Sequence, residues 1–165
     1  MRVIAGIDPG ITGGLAAFTE AGLLAIDLPT IDNEIDGLEV ADLMTQWAVA
    51  AVVLEESQAF PGQGVATTFR YGQAFGTIIG AVQARGIPIS RVRPAQWKRE
   101  VGLQPPRSSA EKGLTKAKAT RLRKEQSIQV ATELFPDAAH QWQRKKDNHR
   151  AEAALLAHWG RRRGL

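Results

Sequence analysis

Val3-Ile4-Ala5-Gly6-Ile7-Asp8-Pro9-Gly10-Ile11-Thr12-Gly13-Gly14 is the stretch from which the rest of the chain is read. Its first five residues are an apolar run that stops at Asp8-Pro9-Gly10, the pattern of a buried strand closed by turn chemistry. Two further runs, residues 13–18 and 22–28, follow at hairpin spacing, with Glu20-Ala21-Gly22 as the turn between them. Three successive antiparallel strands are therefore predicted. Over residues 37–50, Leu38, Ala41, Leu43, Met44, Trp47 and Ala48 recur at helical spacing, and Ala50-Ala51-Val52-Val53-Leu54 is a fourth, buried strand. A helix that crosses back between two strands makes them parallel.

Residues 66–85 have a helical pattern with glycines at 72, 76 and 80, one per turn on a single face. Each mid-helix glycine costs about 1 kcal/mol relative to alanine, so three in register imply close approach by something, either the sheet of the same domain or the same helix of a second subunit. Residues 87–92 form a fifth strand, and Pro94 opens a short helix through Lys98. After a Pro- and Ser-rich loop at residues 104–109, a basic helix is expected over 111–135 and a final helix over 149–161. The order predicts an α/β fold of one domain, residues 1–165. Its mixed five-stranded sheet, three antiparallel strands and then two parallel, is sandwiched by helices.

The net charge of +4 conceals a strong polarity. Residues 1–89 carry 3 Lys/Arg against 10 Asp/Glu, a balance of −7, whereas residues 90–165 carry 18 against 7, a balance of +11. A basic half of that size suits a polyphosphate partner, because each neutralised phosphate releases condensed counterions. With no cysteine there is neither a disulfide framework nor a thiolate metal site. The N-terminal residues lack a signal-peptide core, and no run approaches the roughly 18 apolar residues of a membrane span. The expectation is a cytoplasmic protein with no membrane contact.

Acidic residues stand where elements end. Asp8 follows the first strand, Glu55 follows the fourth, and Asp147 and Glu152 flank the start of the last helix. Singly, each has an ordinary explanation: a turn former, a helix N-cap or a solvated helix residue. If the first and fourth strands are neighbours, Asp8 and Glu55 lie close enough to repel unless a cation bridges them. Oxygen-rich clusters of this kind suit Mg²⁺ or Mn²⁺, and two ions about 3.5–4 Å apart can promote phosphodiester cleavage.

Three motifs carry a family resemblance. Residues 4–14, quoted above, resemble the first-strand signature of RuvC-type Holliday junction resolvases, which are RNase H-like nucleases. Leu54-Glu55-Glu56-Ser57-Gln58-Ala59-Phe60-Pro61-Gly62-Gln63-Gly64 resembles their second motif in its phage-type form. Asp147-Asn148-His149-Arg150-Ala151-Glu152-Ala153-Ala154-Leu155-Leu156-Ala157 resembles the third. The resemblance implies an RNase H-like fold and a homodimer that cuts four-way DNA junctions with Mg²⁺, or Mn²⁺ in its place, two ions per site. It makes Asp8, Glu55, Asp147 and Glu152 the expected metal ligands, with His149 as a further catalytic group.

Two points stay open at this level. Glu55 and Glu56 must point to opposite faces of a strand; alternation alone does not choose, and the motif favours Glu55. Asp147 and Glu152, five apart, are about 140° out of line on a continuous helix, whereas His149 and Glu152 share a face. Either Asp147 reaches in from the preceding turn or His149 takes its place. For DNA contact, Phe60 and Gln63 in the Gly-rich loop could meet an unstacked base. Arg91, Arg93, Lys98, Arg99, Lys112, Lys116, Lys118, Arg121, Arg123 and Lys124 are phosphate-contact candidates, with Lys116 or Lys118 a choice for charge stabilisation at the cluster. Two competing functions are an actin-like or sugar-kinase-type nucleotide-binding domain, which opens on a similar Asp-containing glycine hairpin but needs two such domains, and a junction-binding protein without cleavage.

Overall fold

In a computed structural model, residues 2–56, 62, 64–103, 113 and 115–165 are described, Lys116 by its backbone only. Strands β1 (Val3–Asp8), β2 (Gly14–Thr19) and β3 (Gly22–Asp27) pair antiparallel. Strand β6 (Val49–Glu55) lies parallel to β1 on its other side, and β7 (Ile89–Val92) parallel to β6. The sheet order is β3-β2-β1-β6-β7, the predicted mixed sheet of five. A two-residue ribbon, β4 (Thr30–Ile31) with β5 (Glu34–Ile35), was not anticipated; it turns at Asp32 and Asn33, both at positive φ.

Helices cover both faces, which is why β1 is buried along its whole length. Ile4, Ala16, Ala51 and Val53 face α5 (Asn148–Arg162), α4 (Lys116–Leu134) and α3 (Pro94–Glu100). Val3, Ala5, Ile7, Leu15, Ala17, Val52 and Leu54 face α1 (Gly37–Gln46) and α2 (Val65–Gln83). Strand periodicity of two therefore sorts the sheet cleanly, and Asp8 and Glu55 fall on the α5 side with Ile4 and Val53. Among the described residues no helix is long and apolar enough to cross a membrane.

Helix α5 lies against the sheet because both surfaces are stripped of bulk. A Cβ on Gly6 would stand 2.2 Å from the carbonyl oxygen of Ala153, and one on Gly14 2.2 Å from that of His149. Ala151, Ala153, Ala154 and Ala157 complete the close approach from the helix side. The glycines of α2 behave differently. Gly72, Gly76 and Gly80 are exposed, and a Cβ on any of them would meet nothing within 4 Å, so the domain's own sheet is not what they accommodate. Helix α1 ends earlier than its sequence pattern, at Gln46, and Leu38 is 71 % exposed; Val40, Ala41, Leu43 and Met44 supply the buried face.

Candidate active site

Parallel pairing of β1 with β6 sets Ile7 opposite Leu54, so Asp8 and Glu55 leave the sheet side by side at its carboxyl end. Helix α5 starts directly over them. Its first turn supplies His149, whose Nδ1 lies 2.5 Å from Asp8 Oδ2, and Glu152 follows three residues later on the same face. Helix α3 adds Lys98, with Nζ 2.8 Å from Glu152 Oε2 and 3.8 Å from Glu55 Oε2. The neighbouring Trp97 donates its indole N–H to Glu55 Oε2 at 2.6 Å. From α4, the Ser127 hydroxyl donates to Glu152 Oε1 at 2.9 Å. Asp8 and Glu152 are only 7 % and 8 % exposed.

Burial opposes ionisation of two of the clustered carboxylates, Glu55 and Asp8. Burial pushes the Glu55 carboxyl up to about 7; Lys98 pulls it down, and the charges of Asp8 and Glu152 push it further up. Burial likewise raises Asp8, against the hydrogen bond from His149. That same bond to Asp8 raises His149, outweighing its own burial. Burial draws Lys98 down, but Glu152 and Glu55 outweigh it and hold the ammonium above the usual lysine value. Tyr71 of α2, pushed up to about 12 by burial and by Asp8 and Glu55, stays a hydroxyl and donates to the Pro9 carbonyl at 3.4 Å.

The donor set is hard and oxygen-rich, the kind that takes Mg²⁺ or Mn²⁺. Among the described residues no three His, Asp or Glu side chains already converge on one ion position. The Lys98 ammonium lies within reach of both Glu152 and Glu55 and supplies positive charge beside them. The donors of the cluster suit a divalent cation in charge and chemistry; Asp8, Glu55 and Glu152 are the residues that would hold it, with His149 beside them on Asp8.

Other expected residues fall elsewhere. Asp147 is 3 % exposed but faces back into its own turn, where it accepts from the backbone N–H of Arg144 at 3.1 Å and from the Arg144 guanidinium at 2.9 Å. The Arg144 bonds hold its carboxyl below the usual range and complete a capping box on the 3₁₀ turn Lys145–Asp147. His149, not Asp147, meets Asp8. Glu56 points away from the cluster and pairs with the exposed Arg93 at 3.3 Å. Lys118 is exposed on the first turn of α4, and its backbone N–H is capped by Thr115. Phe60, Gln63 and the Lys116 side chain lie outside the described residues. Lys98, one of the phosphate-contact candidates, sits inside the cluster. Trp97 and Ser127 were not anticipated at all, because nothing in the local pattern marks a core tryptophan or a helix serine as a partner of a distant carboxylate.

A five-stranded mixed sheet crossed by a closely packed C-terminal helix, with carboxylates at the ends of its two central strands, is the RNase H-like fold of the RuvC type. Solved structures that share it include Thermus thermophilus RuvC in complex with a Holliday junction substrate, at 18 % identity over 99 % of this chain and 97 % of that one, TM-score 0.65. A further structure of T. thermophilus RuvC matches at 19 % identity over the same shares, TM-score 0.62. The yeast mitochondrial Holliday junction resolvase Ydc2 matches at 17 % over 94 % of this chain and 76 % of that one, TM-score 0.51. No protein-family model matches the chain, and no curated protein matches it by sequence.

Proposed function

We propose that this chain is a divalent-metal-dependent endonuclease that resolves four-way DNA junctions as a homodimer. The observation that carries the reading is the meeting of Asp8, Glu55, Glu152 and His149 on one face of the sheet, where two strands end and the last helix begins. The shared fold with a protein described in complex with a Holliday junction substrate, and the basic C-terminal half of the chain, support branched DNA as the partner.

Hydrolysis joins a water oxygen to the scissile phosphorus and breaks the bond from phosphorus to the leaving sugar oxygen, which takes up a proton. When bound, Mg²⁺ or Mn²⁺, two ions per site in the fullest form of the reading, supplies Lewis acidity towards the phosphate and makes water a better nucleophile. Asp8, Glu55 and Glu152 are the residues that would hold such ions. His149, with Nδ1 committed to Asp8, has Nε2 left to accept the proton of the attacking water. Lys98 contributes a fixed positive charge beside the carboxylates, suited to the negative charge that grows on the phosphate oxygens. Arg93 and Lys118, both exposed, are suited to phosphate contact.

A two-fold junction cut by paired nicks calls for two identical sites. The outer face of α2 supplies a surface for the second subunit: Val65 and Phe69 are 87 % and 72 % exposed, and Gly72, Gly76 and Gly80 leave room for a close neighbour.

The test is a labelled synthetic four-way junction incubated with Mg²⁺ or Mn²⁺. Wild type should give symmetrical nicks, and Asp8→Asn and His149→Ala should lose them, whereas Asp147→Asn should keep them. Equal cutting of linear duplex, or nicking by Asp8→Asn, defeats the proposal; tight junction binding with no nicking would make this a binding protein.

A further inference from the structure

We infer that Trp97 and Ser127 are positioning residues that orient Glu55 and Glu152 towards a divalent cation; this rests on the metal-dependent reading above. A glutamate side chain has three rotatable bonds, so a carboxylate at its end wanders unless something fixes it. Here each glutamate is fixed by a neutral donor that arrives from a different helix. Trp97 is fully buried, in the same apolar cluster as Val92, Val101 and Leu103, and its indole N–H reaches Glu55 Oε2 at 2.6 Å. Ser127, 2 % exposed, has one hydroxyl hydrogen within reach of two acceptors, Glu152 Oε1 at 2.9 Å and the Arg123 carbonyl at 3.1 Å. The charged acceptor makes the stronger bond and takes it.

The chemistry of the two donors matters as much as their position. An indole N–H donates and cannot accept, so Trp97 holds the carboxylate without competing for the cation. It occupies only one oxygen, and among the described residues Glu55 Oε1 takes no hydrogen bond. Trp97 also sets the lysine beside it. The two residues are consecutive on α3, and Lys98 Nζ lies 5.1 Å from the centre of the Trp97 ring. A ring anchored in the core thus fixes Glu55 directly and Lys98 through the helix they share. Partners of this kind, one bond removed from the ligated ion, commonly change metal affinity by about 10- to 100-fold when removed.

The experiment is Mn²⁺ titration of the full-length protein without DNA, with free Mn²⁺ read by electron paramagnetic resonance and the melting temperature in EDTA recorded for each variant. Trp97→Phe keeps an aromatic ring in the core and deletes the donor; Ser127→Ala deletes one oxygen atom. Each should weaken Mn²⁺ binding about 10-fold or more. If both bind within twofold of wild type, the two residues are core filling only and the inference falls while the metal reading stands. Should Trp97→Phe not fold, Ser127→Ala decides the matter. Folded wild type that binds no Mn²⁺ overturns both the metal reading and this inference.

Discussion

At the scale of single residues, the half-buried Glu55 links stability to pH and, under the proposed function, to metal. Its carboxyl sits at about 7 in the folded protein against 4.5 ordinarily, so between those values the folded state keeps a proton that the unfolded chain has released. Raising the pH through that window therefore costs stability, by up to about 1.4 kcal/mol per pH unit for one group. A cation held by Glu55 relieves that cost only where the carboxylate is ionised. Mn²⁺ should thus raise the melting temperature by several degrees at pH 8 and little at pH 5, measured by thermal denaturation with and without the ion. An equal shift at both values would separate Glu55 from the metal. Residue-level reading of the sequence named Asp8, Glu55, His149 and Glu152, since two close strands and two lie in the opening turns of the last helix, each within a recognisable motif. It could not decide between Asp147 and His149, because that depends on whether Arg144 is free to engage the aspartate, which it does at 2.9 Å. Nor could it see Trp97 or Ser127, 42 and 25 residues away from the glutamates they hold.

At the scale of elements, the site depends on how closely α5 can lie on β1 and β2. Gly6 and Gly14 permit contact with the helix backbone itself, and the two candidate-site residues of α5, His149 and Glu152, lie within that contact region. Gly6→Ala forces a methyl group against the Ala153 carbonyl and the Ala157 nitrogen, neither of which can move alone. Urea denaturation should show a loss of about 1–3 kcal/mol or more, the usual cost of overpacking a tight interior. A harmless Gly6→Ala would mean that α5 does not rest on β1 as described. The alternation that left Glu55 and Glu56 undecided resolves at this scale as well. Once α5 covers the face that holds Ala51 and Val53, Glu55 follows them and Glu56 cannot.

At the scale of the whole molecule, α2 carries an apolar outer face and three open glycines that its own domain does not use. Under the proposed dimer, Gly76→Leu fills the space the partner requires. Light scattering should then report the monomer mass for this variant and twice that for wild type, and an unchanged mass would move the interface elsewhere. The sequence by itself determined the order of strands, the parallel return of β6, the charge polarity and the acidic residues at element ends, because these follow from local periodicity, turn chemistry and composition. Only the tertiary structure decided which face of the sheet holds the site, that Lys98 belongs to the carboxylates, that Asp147 belongs to Arg144, and that the α2 glycines look outward. Those outcomes are set by which helix packs on which face, and helix packing depends on shape and on charge pairs between residues far apart in the chain.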